Sequence, residues 1–205
     1  LIKTPVSDPN IDGKIAGKID MARVKDLMPM DEGAELNGKI IADIVLKGKK
    51  SSIDNERYSE FDAKGEFIAM DMKYAAKDLP QAVDIKYAQL KFTPAFVELA
   101  SFDSKIGKSD FKANGKIENF LDYFFSENGM LTGNFNLNSN LIDLNEFMGS
   151  EEEAAATPDT SSMAVIDVPA NINFTLTTAI GKLLYDNIEM SNVKGKLTIK
   201  DKKVA

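Results

Sequence analysis

The sequence predicts a mainly β protein with a few short helices: a long, strongly curved antiparallel sheet with one apolar concave face, a half-barrel or groove with helices at its strand ends. Three observations predict it. First, residues 131–141 alternate strictly, with Leu131, Gly133, Phe135, Leu137, Ser139 and Leu141 on one side and Thr132, Asn134, Asn136, Asn138 and Asn140 on the other. That period of two marks a strand with one buried and one wet face, and at about 3.3 Å per residue it spans roughly 35 Å. Second, Gly13, Gly17, Gly38, Gly65, Gly115, Gly133 and Gly195 all fall on apolar faces of such patterns. A glycine in mid-strand costs stability, so its recurrence there asks for a local gain such as bending or close backbone approach. An ordinary sandwich, in which glycines make room for large residues opposite, is the alternative. Third, a strand, capped short helix and long strand occur in that order at residues 19–46 and again at 117–141, with AGKID and NGKIE before the helices. This describes an array of related units, about 11–50 and 111–149, within a single β-rich domain spanning 1–205.

Taken in order, Ile11, Gly13, Ile15, Gly17 and Ile19 form the apolar side of a first strand whose other side is ionic. Asp20 is placed to cap a short helix carrying Met21, Val24, Leu27 and Met28, which Pro29 stops. The next strand presents Leu36, Gly38, Ile40, Ala42, Ile44 and Leu46 on one side, with Ile41 and Val45 as exceptions that call for a covering element. Lys47, Lys49 and Lys50 read as a protected strand end, followed by a helical turn around residues 54–58. Phe61, Ala63, Gly65, Phe67 and Ala69 begin a strand that continues to Tyr74 with a second stripe at Ile68 and Met70. Residues 83–93 and 96–106, separated by Pro94, have mixed faces and are assigned either to a doubly buried pair or to a second layer. The glycine-bearing pattern returns at Phe111, Ala113, Gly115 and Ile117, followed by Asn119 as a cap and an aromatic helix, 120–125, ended by Gly129. Asp143 and Glu146 have capping-box spacing around a further short helix. Residues 150–163 are small, polar and acidic, the composition of a mobile loop. A last hairpin comes after it. Its first strand carries Val168, Ala170, Ile172, Phe174, Leu176 and Thr178; its second carries Val193, Gly195, Leu197 and Ile199, with a bulge near Ser191 and Asn192.

Composition narrows the chemistry. With 32 acidic and 25 basic side chains the formal charge is -7, which opposes nonspecific attraction to nucleic acid or anionic lipid head groups. The chain has neither cysteine nor histidine. Thiol nucleophiles, disulfides, thiolate zinc sites and imidazole bases are therefore excluded, and absent thiols suit an oxidising compartment. Carboxylate pairs remain as the route to catalysis. Asp103 with Asp110, or Asp71 with Asp84, are the candidates, though without a defined cleft they read as solvated surface acids. The acidic run at residues 151–159 lacks the glycine turn and ligand spacing of a calcium loop. No catalytic residue, metal or cofactor is expected.

Several ordered phrases point further: AGKIDMARVKDLMP, LNGKIIADIVLKGK, KIGKSDFKANGKIENFL, LTGNFNLNSNLIDLNEFM and VPANINFTLTTAIGKLLYDNIEMSNVKGKLTIKD. Together they resemble the C-terminal region of the AsmA family, from about Ile11 onward. The resemblance implies a periplasmic β-rich module of an envelope protein that supports outer-membrane biogenesis, anchored to the inner membrane by a segment outside these residues. It also implies kinship with repeating-groove lipid-transfer proteins, whose curved sheets carry phospholipid, and it brings no catalytic residues. The expected partners are phospholipid or another envelope lipid, envelope proteins, and no nucleic acid. Ile40, Ile44, Leu46, Phe135, Leu137, Leu141, Ile172, Phe174 and Leu176 are the expected lining of the groove. The alternative is a structural or protein-docking β-module with a closed core and no lipid.

Overall fold

The computed structural model describes residues 2–3, 8–26, 33–55, 57, 60, 62–76, 79–126, 129–148 and 171–204. Eleven strands form one sheet in chain order: β1 (Ile2–Lys3), β2 (Asn10–Asp20), β3 (Glu35–Lys49), β4 (Asp62–Ala75), β5 (Val83–Thr93), β6 (Phe96–Ile106), β7 (Ser109–Glu118), β8 (Leu131–Asp143), β9 (Ile172–Tyr185), β10 (Ile188–Lys200) and β11 (Lys203–Val204). The sheet is curved and does not close on itself. Helices α1 (Lys50–Asp54) and α2 (Phe120–Phe125) and the 3-10 turns Met21–Asp26 and Leu144–Glu146 follow β3, β7, β2 and β8 respectively. Each of these four short elements therefore sits at a strand end, as the sequence pattern predicts.

The strands form because their alternation holds. β8, with 13 residues, extends the predicted run by two, and β5 and β6 coincide with the predicted strands on either side of Pro94. The pairs β2/β3 and β7/β8 are both antiparallel strands joined through a short helix, the arrangement expected of the two related segments. The strand-end lysines of β3 are held by carboxylates: Lys47 by Asp12 at 3.8 Å, Lys49 by Asp8 at 3.9 Å and Lys50 by Asp54 at 2.5 Å.

Several expectations are corrected. β8 and β9 run parallel, so the sheet is antiparallel everywhere but there. A parallel neighbour is reached only by a crossover connection. The predicted acidic loop at 150–163 lies outside the described residues, as do Leu27, Met28, Pro29 and Val168. β5 and β6 are not a second layer; they are the fifth and sixth strands of the same sheet. Ile41 and Val45 are half-buried, with Lys18 and Ile68, and Lys14 and Lys64, as their direct neighbours in the sheet. The aliphatic stems of those lysines can lie along them. α1 ends at Asp54, where the expected turn at 54–58 begins, and residues 56 and 58 of that turn lie outside the described residues. Asn119 precedes α2 at φ 60° with no side-chain cap bond, and the helix ends at Ser126, before Gly129. The kink in β10 inserts no residue: Asn192 takes φ 55° while Ser191 pairs Lys182 and Val193 pairs Ile180, two residues apart on both strands.

Extensive packing runs between adjacent strands. Among the described residues, one hydrophobic side chain is buried, Ile142 at 7% exposure, and the other buried side chains are those of Ser52, Ser104, Ser109, Ser139 and Asp143. This is a single curved layer, with its apolar side chains half-exposed.

Candidate functional site

The register of the sheet places one apolar side chain beside the next across the whole molecule. Directly paired residues share a face. One row runs Gly17, Ala42, Phe67, Leu90, Leu99, Gly115, Phe135, Leu176, Leu197 from β2 to β10. A second runs Ile15, Ile44, Gly65, Phe92, Val97, Ile117, Gly133, Phe174, Ile199. The third runs Ile19, Ile40, Ala69, Ala88, Phe102, Ala113, Leu137, Thr178, Gly195. One residue along, the opposite face reads Ala16, Asp43, Glu66, Lys91, Glu98, Lys116, Asn134, Thr175, Thr198. At about 4.8 Å between strands, the apolar rows extend roughly 40 Å.

Six of the nine predicted lining residues are joined by these rows: Ile40 with Leu137, Ile44 with Phe174, and Phe135 with Leu176. Leu46 lies beside them with Gly13 and Ala63, and Ile172 pairs Leu131 at the end of β8. Leu141 is separate, because its row continues into Lys182 and Ser191. A concavity of about 240 Å³ opens on the apolar side between β8, β9 and β10, lined by Phe135, Phe174, Thr175, Leu176, Leu197 and Ile199. Phe124, in the aromatic helix α2, is 71% exposed.

The glycines make the face smooth by accepting rings. Gly65 pairs Phe92, Gly115 pairs Phe135 and Gly133 pairs Phe174, and a Cβ at any of the three would meet its partner's ring. The alternative reading of the glycines was thus right about room for large side chains, but the room is for a neighbour in the same sheet. Gly38 has a different reason. It sits at φ 110° where β4 carries an extra residue against β3, and a Cβ there would lie 2.6 Å from the Met72 backbone.

Sequence reasoning put Phe67 on the apolar side of its strand without assigning it to the lining, and it missed Leu90, Phe92, Val97, Leu99 and Phe102 in the middle of the face. β5 carries an extra residue at Lys86 relative to β6, and β6 carries one near Ala100, so Leu99 and Phe102 share a face although they are three apart. Each insertion reverses the parity of the remaining residues in its strand.

The four aspartates considered for catalysis line a cleft of about 870 Å³ together with Lys73, Lys86, Lys105, Lys108 and Lys112. Across the strands Lys73, Asp84, Lys105 and Asp110 alternate in one row, and Asp103 stands opposite Lys112. Carboxylates are thus set against ammonium groups rather than against each other. Asp110 is engaged by β8: its carboxylate accepts from the backbone N–H of Asn140 at 3.0 Å and of Leu141 at 2.9 Å, and from Asn140 Nδ2 at 2.9 Å. Burial raises its pKa, but the N–H groups of Leu141 and Asn140 outweigh it and hold the carboxyl below its ordinary value. Among the described residues no group of three or more acidic side chains is arranged to hold a metal, and no helix is long and apolar enough to cross a membrane.

No family model matches this chain, and neither a curated protein nor a solved structure does.

Proposed function

We propose that this chain is a non-catalytic, AsmA-like module of the cell envelope that binds or conducts lipid along its apolar β-face, in the periplasm and in support of outer-membrane biogenesis. The observation that carries the reading is the set of three apolar rows over nine strands, interrupted by Thr178 in the third and left mostly half-exposed among the described residues. An acyl chain needs no polar partner, only a continuous apolar surface, and burial contributes about 25 cal/mol per Å² removed from water. Contiguous apolar surface on this scale ordinarily marks a binding face. The polar rows behind it keep the other side wetted.

The test is lipid extraction and mass spectrometry on the purified chain, followed by transfer of a fluorescent phospholipid between vesicles. Bound phospholipid and accelerated transfer are expected. A chain that carries no lipid and leaves transfer at its spontaneous rate would return the alternative, a structural or docking module. That alternative draws support from a sheet that does not close on itself, and it is weakened among the described residues, where one buried hydrophobic side chain is not a closed core.

A further inference from the structure

The charged cleft between β3 and β8 stands apart from the apolar rows. On β7, Lys112 alternates with Ala113 of the third row, so Lys112 and its cross-strand neighbour Asp103 belong to the other face of the sheet. The cleft, at about 870 Å³, falls in the range of roughly 300–1,000 Å³ that small-molecule sites occupy. Three of its charged groups are already held: Lys73 by Glu35 at 2.9 Å, Lys108 by Asp143 at 3.5 Å, and the Asp110 carboxylate by the N–H groups of Asn140 and Leu141. Six are not. The side chains of Asp71, Asp84, Lys86, Asp103, Lys105 and Lys112 make no ion pair or hydrogen bond with any described residue. Lys105 stands between Asp84 and Asp110 in its cross-strand row and bonds to neither, and Lys112 stands opposite Asp103 without bonding to it.

Ammonium and carboxylate groups thus alternate at one interstrand step of about 4.8 Å, each with its bonding capacity unspent. A ligand that complements this lattice carries both charges, about one step apart. Its cationic lining is five lysines and no arginine. Lysine binds phosphate as a point charge and lacks the planar fork with which arginine grips a carboxylate. We propose that the cleft binds an aminoalkyl phosphate, with the phosphate on Lys86, Lys105 and Lys112 and the ammonium on Asp84 and Asp103. A two-carbon link sets the two charges about one interstrand step apart. The same chemistry occurs as a free phosphomonoester and as the headgroup of a phospholipid.

The test is an amide NMR titration of the isotope-labelled 205-residue chain with phosphoethanolamine and with glycerophosphoethanolamine, beside inorganic phosphate and ethanolamine alone. None of these probes has an acyl chain, so the outcome is independent of lipid binding on the apolar face. Saturable shifts are expected at residues 84–86, 103–105 and 110–112, with one or both zwitterions binding about tenfold more tightly than phosphate or ethanolamine. A response to the monoester alone identifies a free ligand, and a response to the glycerol diester identifies a headgroup; both support the site. Lys105→Gln and Asp84→Asn, with spectra as dispersed as the native one, are each expected to weaken binding by about tenfold. The proposal is overturned if neither zwitterion gives saturable shifts, if phosphate or ethanolamine alone binds as tightly, or if the shifts fall outside the cleft. Unchanged affinity in both variants overturns it equally.

Discussion

The backbone pairing of β7 with β8 runs from Glu118 opposite Thr132 to Lys112 opposite Asn138 and stops there, so the N–H groups further along β8 need other acceptors. Side chains of β7 supply them: Asp110 takes those of Asn140 and Leu141, and Ser109 Oγ takes that of Asp143 at 2.9 Å. Asp110→Ala removes a charged acceptor from several donors and is expected to cost about 1–3 kcal/mol, read as a lower urea midpoint at unchanged slope. Because the folded pKa lies below the unfolded one, the Asp110 contribution is fully present above the unfolded value and fades as pH falls through the folded value. The urea midpoints of native and Asp110→Ala chains should therefore converge in acid; a gap that stays constant down to the lowest pH would sink this assignment. The glycines separate cleanly at the same scale. Gly133→Ala places a methyl 2.6 Å from Phe174 and 3.1 Å from Phe135 and is expected to destabilise by about 1–3 kcal/mol. Gly13→Ala meets nothing and is expected to gain about 0.5 kcal/mol. Equal effects at the two sites would contradict the ring-over-glycine packing. The alternating pattern placed all seven glycines on one side, but which of them lies under a ring depends on cross-strand partners that one strand's pattern does not contain. Asp110 was legible only as an acid among acids, because its acceptor role arises where β8 leaves β7.

The 3-10 turn Leu144–Glu146 shows what a short element contributes when it ends a strand. Asp143 caps it, accepting from the Asn145 N–H at 3.2 Å. Glu146, which the capping-box spacing assigned to the same cap, turns instead to the β6/β7 hairpin and accepts from the Lys108 N–H at 2.8 Å. Asn145 reaches the β9/β10 hairpin, where its Oδ1 accepts from the Asp186 N–H at 2.7 Å and its Nδ2 donates to the Asp186 carbonyl at 3.3 Å. One turn thus ties two hairpins to the end of β8. Asn145→Ala is expected to cost about 1 kcal/mol and, more tellingly, to speed hydrogen exchange at the Asp186 amide while leaving the centres of β8 and β9 protected. Exchange at Asp186 that does not respond would mean the contact does not hold the hairpin. The existence of the long strands was readable where each carries its own period of two; the two-residue β1 and β11 carry no period to read. Neighbour direction was not: nothing in the alternation of β8 distinguishes a parallel from an antiparallel β9. The bulges in β5 and β6 hid the apolar face there for a related reason, since an inserted residue leaves both halves of a strand alternating but out of phase.

At the scale of the whole molecule, a single layer has its apolar residues both as structure and as surface, so ligand contact and fold stability are difficult to separate by mutation in the middle of the sheet. Toward its last long strand the two come apart. Leu197 lies at the β10 end of the central row, lines the concavity between β8 and β10, and is already 41% exposed. Replacing it removes little burial from the folded chain. Thr177, on β9 beside Leu176, is on the polar side, opposite Asn136 and Lys196. Leu197→Asn and Thr177→Asp therefore make a matched pair: each introduces polarity near the same place, on opposite faces of one sheet. If lipid occupies the apolar rows, it stabilises the folded chain by mass action, about 2.7 kcal/mol at a hundredfold excess over Kd. The native chain and Thr177→Asp should then melt higher as phospholipid is added, and Leu197→Asn should melt close to the native chain without lipid but gain less with it. Equal lipid-induced shifts in both variants would place the ligand elsewhere, and a shift lost only in Thr177→Asp would put it on the polar face.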